Sequence, residues 1–182
     1  MSTRTAAPDH HDPVPPAWHT VTQVLRTMAC DLVYAPTGVR VSALPPIPHH
    51  DTAAFRLDCA YEPAGATLYF AVRSTAVVPA ARFAAMREYV ARAGAELAYH
   101  RMAFDTPEGV LSLQYRVPVV GETISGDLVK RILTWLLEDA VAFFPEAELV
   151  GLGRLSAAEA MRLAVQAIER GETRPSAAHT HT

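Results

Sequence analysis

Leu111, Leu113, Tyr115, Val117 and Val119 alternate with Ser112, Gln114 and Arg116. Side chains along a strand point to opposite faces, so this run belongs to a sheet with one covered face and one wetter face. A chain carrying it must supply something to cover the dry side. The same parity recurs elsewhere. Phe55, Leu57, Cys59 and Tyr61 stand opposite Arg56, Asp58 and Glu62. His100, Met102 and Phe104 alternate with Tyr99 and Arg101. Shorter runs are Val39-Val41-Ala43 and Leu68-Phe70-Val72. Three turns flank these stretches: Pro36-Thr37-Gly38, Pro63-Ala64-Gly65 and Pro107-Glu108-Gly109. Proline presets φ for the first central position of a turn, and glycine is favoured towards its end.

The cover comes from helices. Trp18, Val21, Leu25 and Met28 recur at helical spacing, which predicts a helix from about Ala17 to Ala29. After Pro79, the stripe Phe83, Met86, Val90 and Ala93 predicts a second, stopped by Gly94. A third runs from about Asp127 to Phe144 and ends at Pro145. Ser156-Ala157-Ala158-Glu159 is a capping box that opens a fourth, ending at Gly171. The expected architecture is α+β: an antiparallel sheet of about five strands with helices packed on one face. The order is α-βββ-α-ββ-α plus an extra C-terminal helix. Residues 1–16, with Pro8, Pro13, Pro15 and Pro16 among polar residues, read as a flexible N-terminal arm. Residues 17–171 form a single domain, and 172–182 a flexible C-terminal tail.

The chain has 182 residues, of which 50% are hydrophobic and 19% charged, enough to bury one core. A net charge of -3, with no basic cluster denser than Lys130-Arg131, argues against a nucleic-acid partner. No run reaches the 18 or so apolar residues that span a bilayer, which argues against membrane insertion. Residues 1–16 lack the apolar core of an export signal. Cys30 and Cys59 then read as reduced, buried thiols in a cytoplasmic protein.

The search for chemistry yields no catalytic, metal or cofactor residues. His10-His11 lies in the arm, and His179 and His181 in the tail, without four ligands at fixed spacing. His49-His50-Asp51 reads as a loop. His100 and Asp105 are five residues apart on one strand, on opposite faces and roughly 17 Å apart, so they cannot share a proton. His100 therefore reads as a histidine at the solvent edge. Gly151-Leu152-Gly153 resembles the start of a dinucleotide loop but lacks the third glycine and the preceding parallel strand.

The helix from Leu128 to Phe144 is apolar on more than one side. Leu128, Ile132, Leu136 and Phe143 make one row, and Val129, Leu133, Leu137, Ala140 and Phe144 another. A surface helix needs a stripe of only roughly 100°. Either this helix is the centre of the core, or part of it meets a partner. The residues for such a partner or dimer contact are Trp135, Leu136, Phe143 and Phe144.

The order of segments resembles the YbjN-like family, whose fold is related to that of type III secretion chaperones. The resemblance rests on Trp18 to Met28, Leu32 to Val39, Phe70-Ala71-Val72 leading into Phe83 to Val90, Tyr99 to Phe104, Leu111 to Val119 and Leu128 to Pro145. It spans roughly residues 17–150. It implies a small α+β protein, often dimeric, that binds another polypeptide or acts as an accessory regulator, and it brings no catalytic residues. The expected function is a non-enzymatic chaperone-like or adaptor protein that engages a polypeptide partner through apolar surface, with a homodimer as a further expectation. The alternative is a small-molecule-binding or hydrolytic domain with a pocket between sheet and helices.

Overall fold

The computed structural model describes residues 16–35, 38–43, 55–119, 121 and 123–170. The chain forms α1 (Pro16–Thr27), β1 (Asp31–Ala35), β2 (Gly38–Ala43), β3 (Phe55–Glu62) and β4 (Thr67–Val77). It continues with α2 (Phe83–Glu96), β5 (Arg101–Asp105), β6 (Val110–Pro118), α3 (Gly126–Gly151) and α4 (Ala157–Glu169). The class is α+β, as the alternation and helix stripes predict. Among the described residues the sheet has six strands in the order β1-β2-β3-β4-β6-β5, all pairs antiparallel. That is one more than the expected five or so. The additional strand is Asp31–Ala35, too short to show a period of two on its own, yet paired with β2 through Leu32↔Val41 and Tyr34↔Val39.

The register sorts the two faces. Leu57, Val72, Leu113 and Met102 sit opposite one another across β3, β4, β6 and β5, and all four are buried. Phe70 and Cys59 make the next buried row. This dry face is filled by α3, which packs on β4 and β6 and also touches α1, α2 and α4. Being wrapped on every side is why α3 is apolar on more than one side. Val129, Ile132, Leu133, Leu136, Leu137 and Ala140 are all buried. Each large apolar side chain removed from water contributes about 1.5–3 kcal/mol.

Two predicted helix ends move. α3 passes through Pro145 and stops at Gly151. Proline lacks the N–H that would pair with the Val141 carbonyl, at a cost of about 3 kcal/mol. Ala147 and Val150 beyond it are buried, and that packing offsets the lost bond. The helix ends where Gly153, at φ +73, lets its N–H reach the Val150 carbonyl (3.0 Å) and the Arg154 N–H reach that of Leu149 (2.9 Å). This is a Schellman cap. Gly151-Leu152-Gly153 is therefore the end of a helix, with Gly153 its terminator, and not a phosphate loop. Arg82 Nε donates to the Val150 carbonyl at 3.1 Å and adds a cation at the negative end of the helix.

α2 likewise continues past Gly94 to Glu96. A Cβ at Gly94 would meet nothing within 4 Å. Gly94→Ala should therefore raise stability by about 0.5–1 kcal/mol, through lower entropy of the unfolded chain. Urea unfolding should show a higher midpoint with an unchanged slope.

The capping box of α4 forms as predicted. Ser156 Oγ accepts from the Glu159 N–H at 3.3 Å, and the Glu159 carboxylate accepts from Ser156 N at 2.9 Å and Oγ at 2.7 Å. The bond from the Ser156 hydroxyl, then that from its backbone N–H, holds the Glu159 carboxyl below its ordinary value. A carboxylate depressed in the folded state contributes stability above its unfolded value and loses it as pH falls through the folded one. Unfolding followed from neutral to acid pH should thus show a shallower acid loss in Glu159→Gln than in the parent.

The Pro107-Glu108-Gly109 turn needs its glycine. Gly109 has φ +66, and a Cβ there would lie 2.9 Å from the Val78 carbonyl oxygen. In the Pro63-Ala64-Gly65 turn the left-handed residue is Ala66 (φ 43). Pro36 and Thr37 lie outside the described residues.

Candidate protein-docking surface

Of the four residues expected at a contact, three belong to the chain's own core. Leu136, Phe143 and Phe144 are buried. Phe144 meets the Phe55 ring edge-on at 5.6 Å, and the buried Tyr89 hydroxyl donates to the Phe143 carbonyl at 2.8 Å. The contact reading for these three is corrected, because the sheet and three helices already cover them. Trp135 alone reaches the surface, half-buried.

Trp135 stands in a patch that parity and spacing assemble. Its ring stacks on Tyr99, with centroids 5.5 Å apart and planes at 12°. Tyr99 is 68% exposed. The Arg131 guanidinium lies 5.9 Å from the centre of the Trp135 ring. Leu128, one helical turn before Arg131, is also exposed. Exposed aromatic stacks and cation–π contacts add about 0.5–1.5 kcal/mol each. The Tyr99–Trp135 pair therefore forms a stiff, preset platform on the protein surface. Tyr, Trp and Arg are the residues that most often carry binding energy between proteins.

Beneath the platform lies His100. It was expected at the solvent edge, but its side chain is only 2% exposed. Its Nδ1–H donates to Asp139 Oδ2 at 2.5 Å. Asp105 is not its partner, as the strand geometry requires. The ring also meets Tyr115 edge-on at 5.4 Å. Nε2 is buried, with no hydrogen-bond partner among the described residues. Glu138-Asp139, which interrupts the apolar row of α3, thus supplies the carboxylate that a buried imidazole needs.

The other face of the sheet is charged. Arg56 and Arg73 sit directly opposite each other on β3 and β4. Like charges in that position repel, and Asp58 separates them, with Oδ2 at 3.3 Å and 3.4 Å from the two Nε atoms. Glu108 reaches Arg73 at 3.1 Å, and Glu62 reaches Arg116 at 3.4 Å. Arg116 also lies over the Tyr69 ring at 5.3 Å. Around these ion pairs the face of β3, β4 and β6 is polar. Where β5 enters the sheet, a cavity of about 510 Å³ opens between Tyr99, Arg101, Gln114 and Arg116, with His100 below.

His10-His11, His49-His50, His179 and His181 fall outside the described residues. Cys30 and Cys59 are free and buried, and burial pushes the Cys59 thiol upwards. No helix among the described residues is long and apolar enough to cross a membrane.

Tyr99, Arg101, Gln114, Arg116 and Arg131 are only weakly marked as a site in the sequence. Two signals were present: an aromatic residue on the wet parity of its strand, and the i, i+4 spacing of Arg131 and Trp135.

The architecture is an antiparallel sheet with one face closed by a central helix, entered by a platform at its β5 corner. No family model matches the sequence, and no curated protein matches it. Solved structures do resemble it. The crystal structure of YbjN from E. coli is similar with a TM-score of 0.51 and 9% identity, over 86% of this chain and 95% of that one. A chain of the HopA1–SchA chaperone–effector complex aligns with a TM-score of 0.42 and 18% identity, over 66% of this chain and 86% of that one. The first similarity shows that the chain has a YbjN-like fold.

Proposed function

We propose that this protein is a non-enzymatic, chaperone-like or adaptor protein that binds a polypeptide partner in the cytoplasm. The exposed Tyr99–Trp135 stack with Arg131 carries the reading. It is a rigid aromatic anchor with a cation, which is the make-up of binding hot spots. The shielding of His100 adds support. An imidazole whose free nitrogen is buried serves packing, since a general base must come within hydrogen-bond reach of its substrate. The free thiols of Cys30 and Cys59 suit a reducing compartment. A pocket between sheet and helices, which the small-molecule or hydrolytic reading requires, has less support. That space holds Leu57, Phe70, Val72 and Leu113 packed around α3.

A photoreactive aromatic amino acid at position 99 tests the proposal, with the same group at the exposed Glu88 of α2 as control. Position 99 should crosslink to a polypeptide and Glu88 should not. Trp135→Ala should weaken that partner's affinity by about thirty-fold, or 2 kcal/mol. Equal crosslinking at both positions, or none at 99, would refute it. A homodimer through Trp135 belongs to the same proposal. Sedimentation equilibrium at micromolar concentration would show it, and a clean monomer would exclude it.

A further inference from the structure

The platform continues into the cavity at the entry of β5, because Tyr99 belongs to both. The cavity is cationic. Among the described residues Arg101 makes no ion pair, while Arg116 pairs with Glu62, exposed on both sides, and lies over the Tyr69 ring. An exposed pair of that kind contributes about 0–1 kcal/mol and yields readily to a competing carboxylate. Asp139 of α3 is already bound to His100. Arg101 pairs with Gln114 across the strands, and Arg116 lies two residues beyond Gln114 on the same face. Such diagonal positions are about 7–8 Å apart, so two guanidinium forks can close on one carboxylate or take two neighbouring ones. Ser112 Oγ accepts from the Gln114 amide at 2.9 Å and draws that side chain along β6 towards itself, on the side away from Arg116.

We infer that the partner segment is acidic. The geometry points to a polypeptide whose carboxylates engage Arg101 and Arg116, while an adjacent apolar side chain lies on the Tyr99–Trp135 stack. Arginine forks match carboxylates bidentately. Arg131, beside the stack, adds a third cation on the approach. A free small carboxylate fits less well, because sites for small ligands enclose most of the ligand. Here Trp135 lies outside the cavity, and the whole stack is used only by a chain that runs across both. This inference rests on the polypeptide-binding reading and names the chemistry of the partner.

A random-peptide display library selected on the full chain at low salt tests it. The enriched peptides should be acidic and should contain an aromatic or leucine residue. Their Glu→Gln, Asp→Asn versions should bind more than about ten-fold more weakly. Arg101→Glu and Arg116→Glu should abolish the enrichment. Arg101→Gln and Arg116→Gln, read beside a thermal melt, separate lost charge from lost folding. Enrichment of neutral or basic peptides would overturn the acidic partner and leave polypeptide binding standing. Displacement of the peptides by glutarate at equal affinity would make this a small-molecule site and overturn the inference. No enrichment at all would overturn both readings.

Discussion

Phe143→Ala should destabilise the protein by about 3–5 kcal/mol, and Leu136→Ala by about 2–5 kcal/mol, without changing its state of association. Both side chains are fully enclosed in α3. Removing either deletes apolar burial and leaves a cavity that the sheet on one side and the helices on the other cannot collapse into. Phe143 sits at the busiest point, since its carbonyl also holds the Tyr89 hydroxyl two residues before Pro145. Trp135→Ala, at the surface of the same helix, should cost much less stability and affect binding instead. Urea unfolding and sedimentation of the three variants separate core from contact. A small loss of stability in Phe143→Ala together with lost self-association would restore the contact role to Phe143.

Asp139→Ala should cost about 1–3 kcal/mol, because it leaves a buried imidazole with neither nitrogen paired. His100→Phe alone should cost less than Asp139→Ala. Asp139 is 31% exposed and can turn to water, whereas the imidazole cannot. The combined variant His100→Phe, Asp139→Ala should recover much of what Asp139→Ala loses, since replacing both partners removes the unsatisfied donor. A double-mutant cycle by urea unfolding measures this. Purely additive losses would show that the pair does not act as a unit.

The strands of the core were readable because burial on one face imposes a period of two, as in Leu111 to Val119. The capping box at Ser156 was readable because its two reciprocal bonds depend on residues only three apart. Pro145 and Gly94 misled because both are local signals. Burial of Ala147 and Val150 against other elements outweighs the first, and α2 simply tolerates the second. The partner of His100 was beyond reach for a different reason. Asp139 is 39 residues away on another element, and only the seating of α3 on the sheet brings them together. Apolarity along α3 alone cannot distinguish a side facing a partner from one facing the chain's own α1, α2 or α4. The candidate surface is legible only when Tyr99 on the strand side and Trp135 on the helix side are seen to stack.

The helix that fills the dry face of the sheet begins at Gly126, after all six strands. During synthesis, the antiparallel meander of β1 to β4 leaves the ribosome well before its cover does. Leu57, Phe70 and Val72 then have only α1 and α2 to shelter against. Transiently uncovered apolar faces of this kind are prone to aggregate. The interval before α3 arrives is therefore when the nascent chain's own apolar face is most open to association.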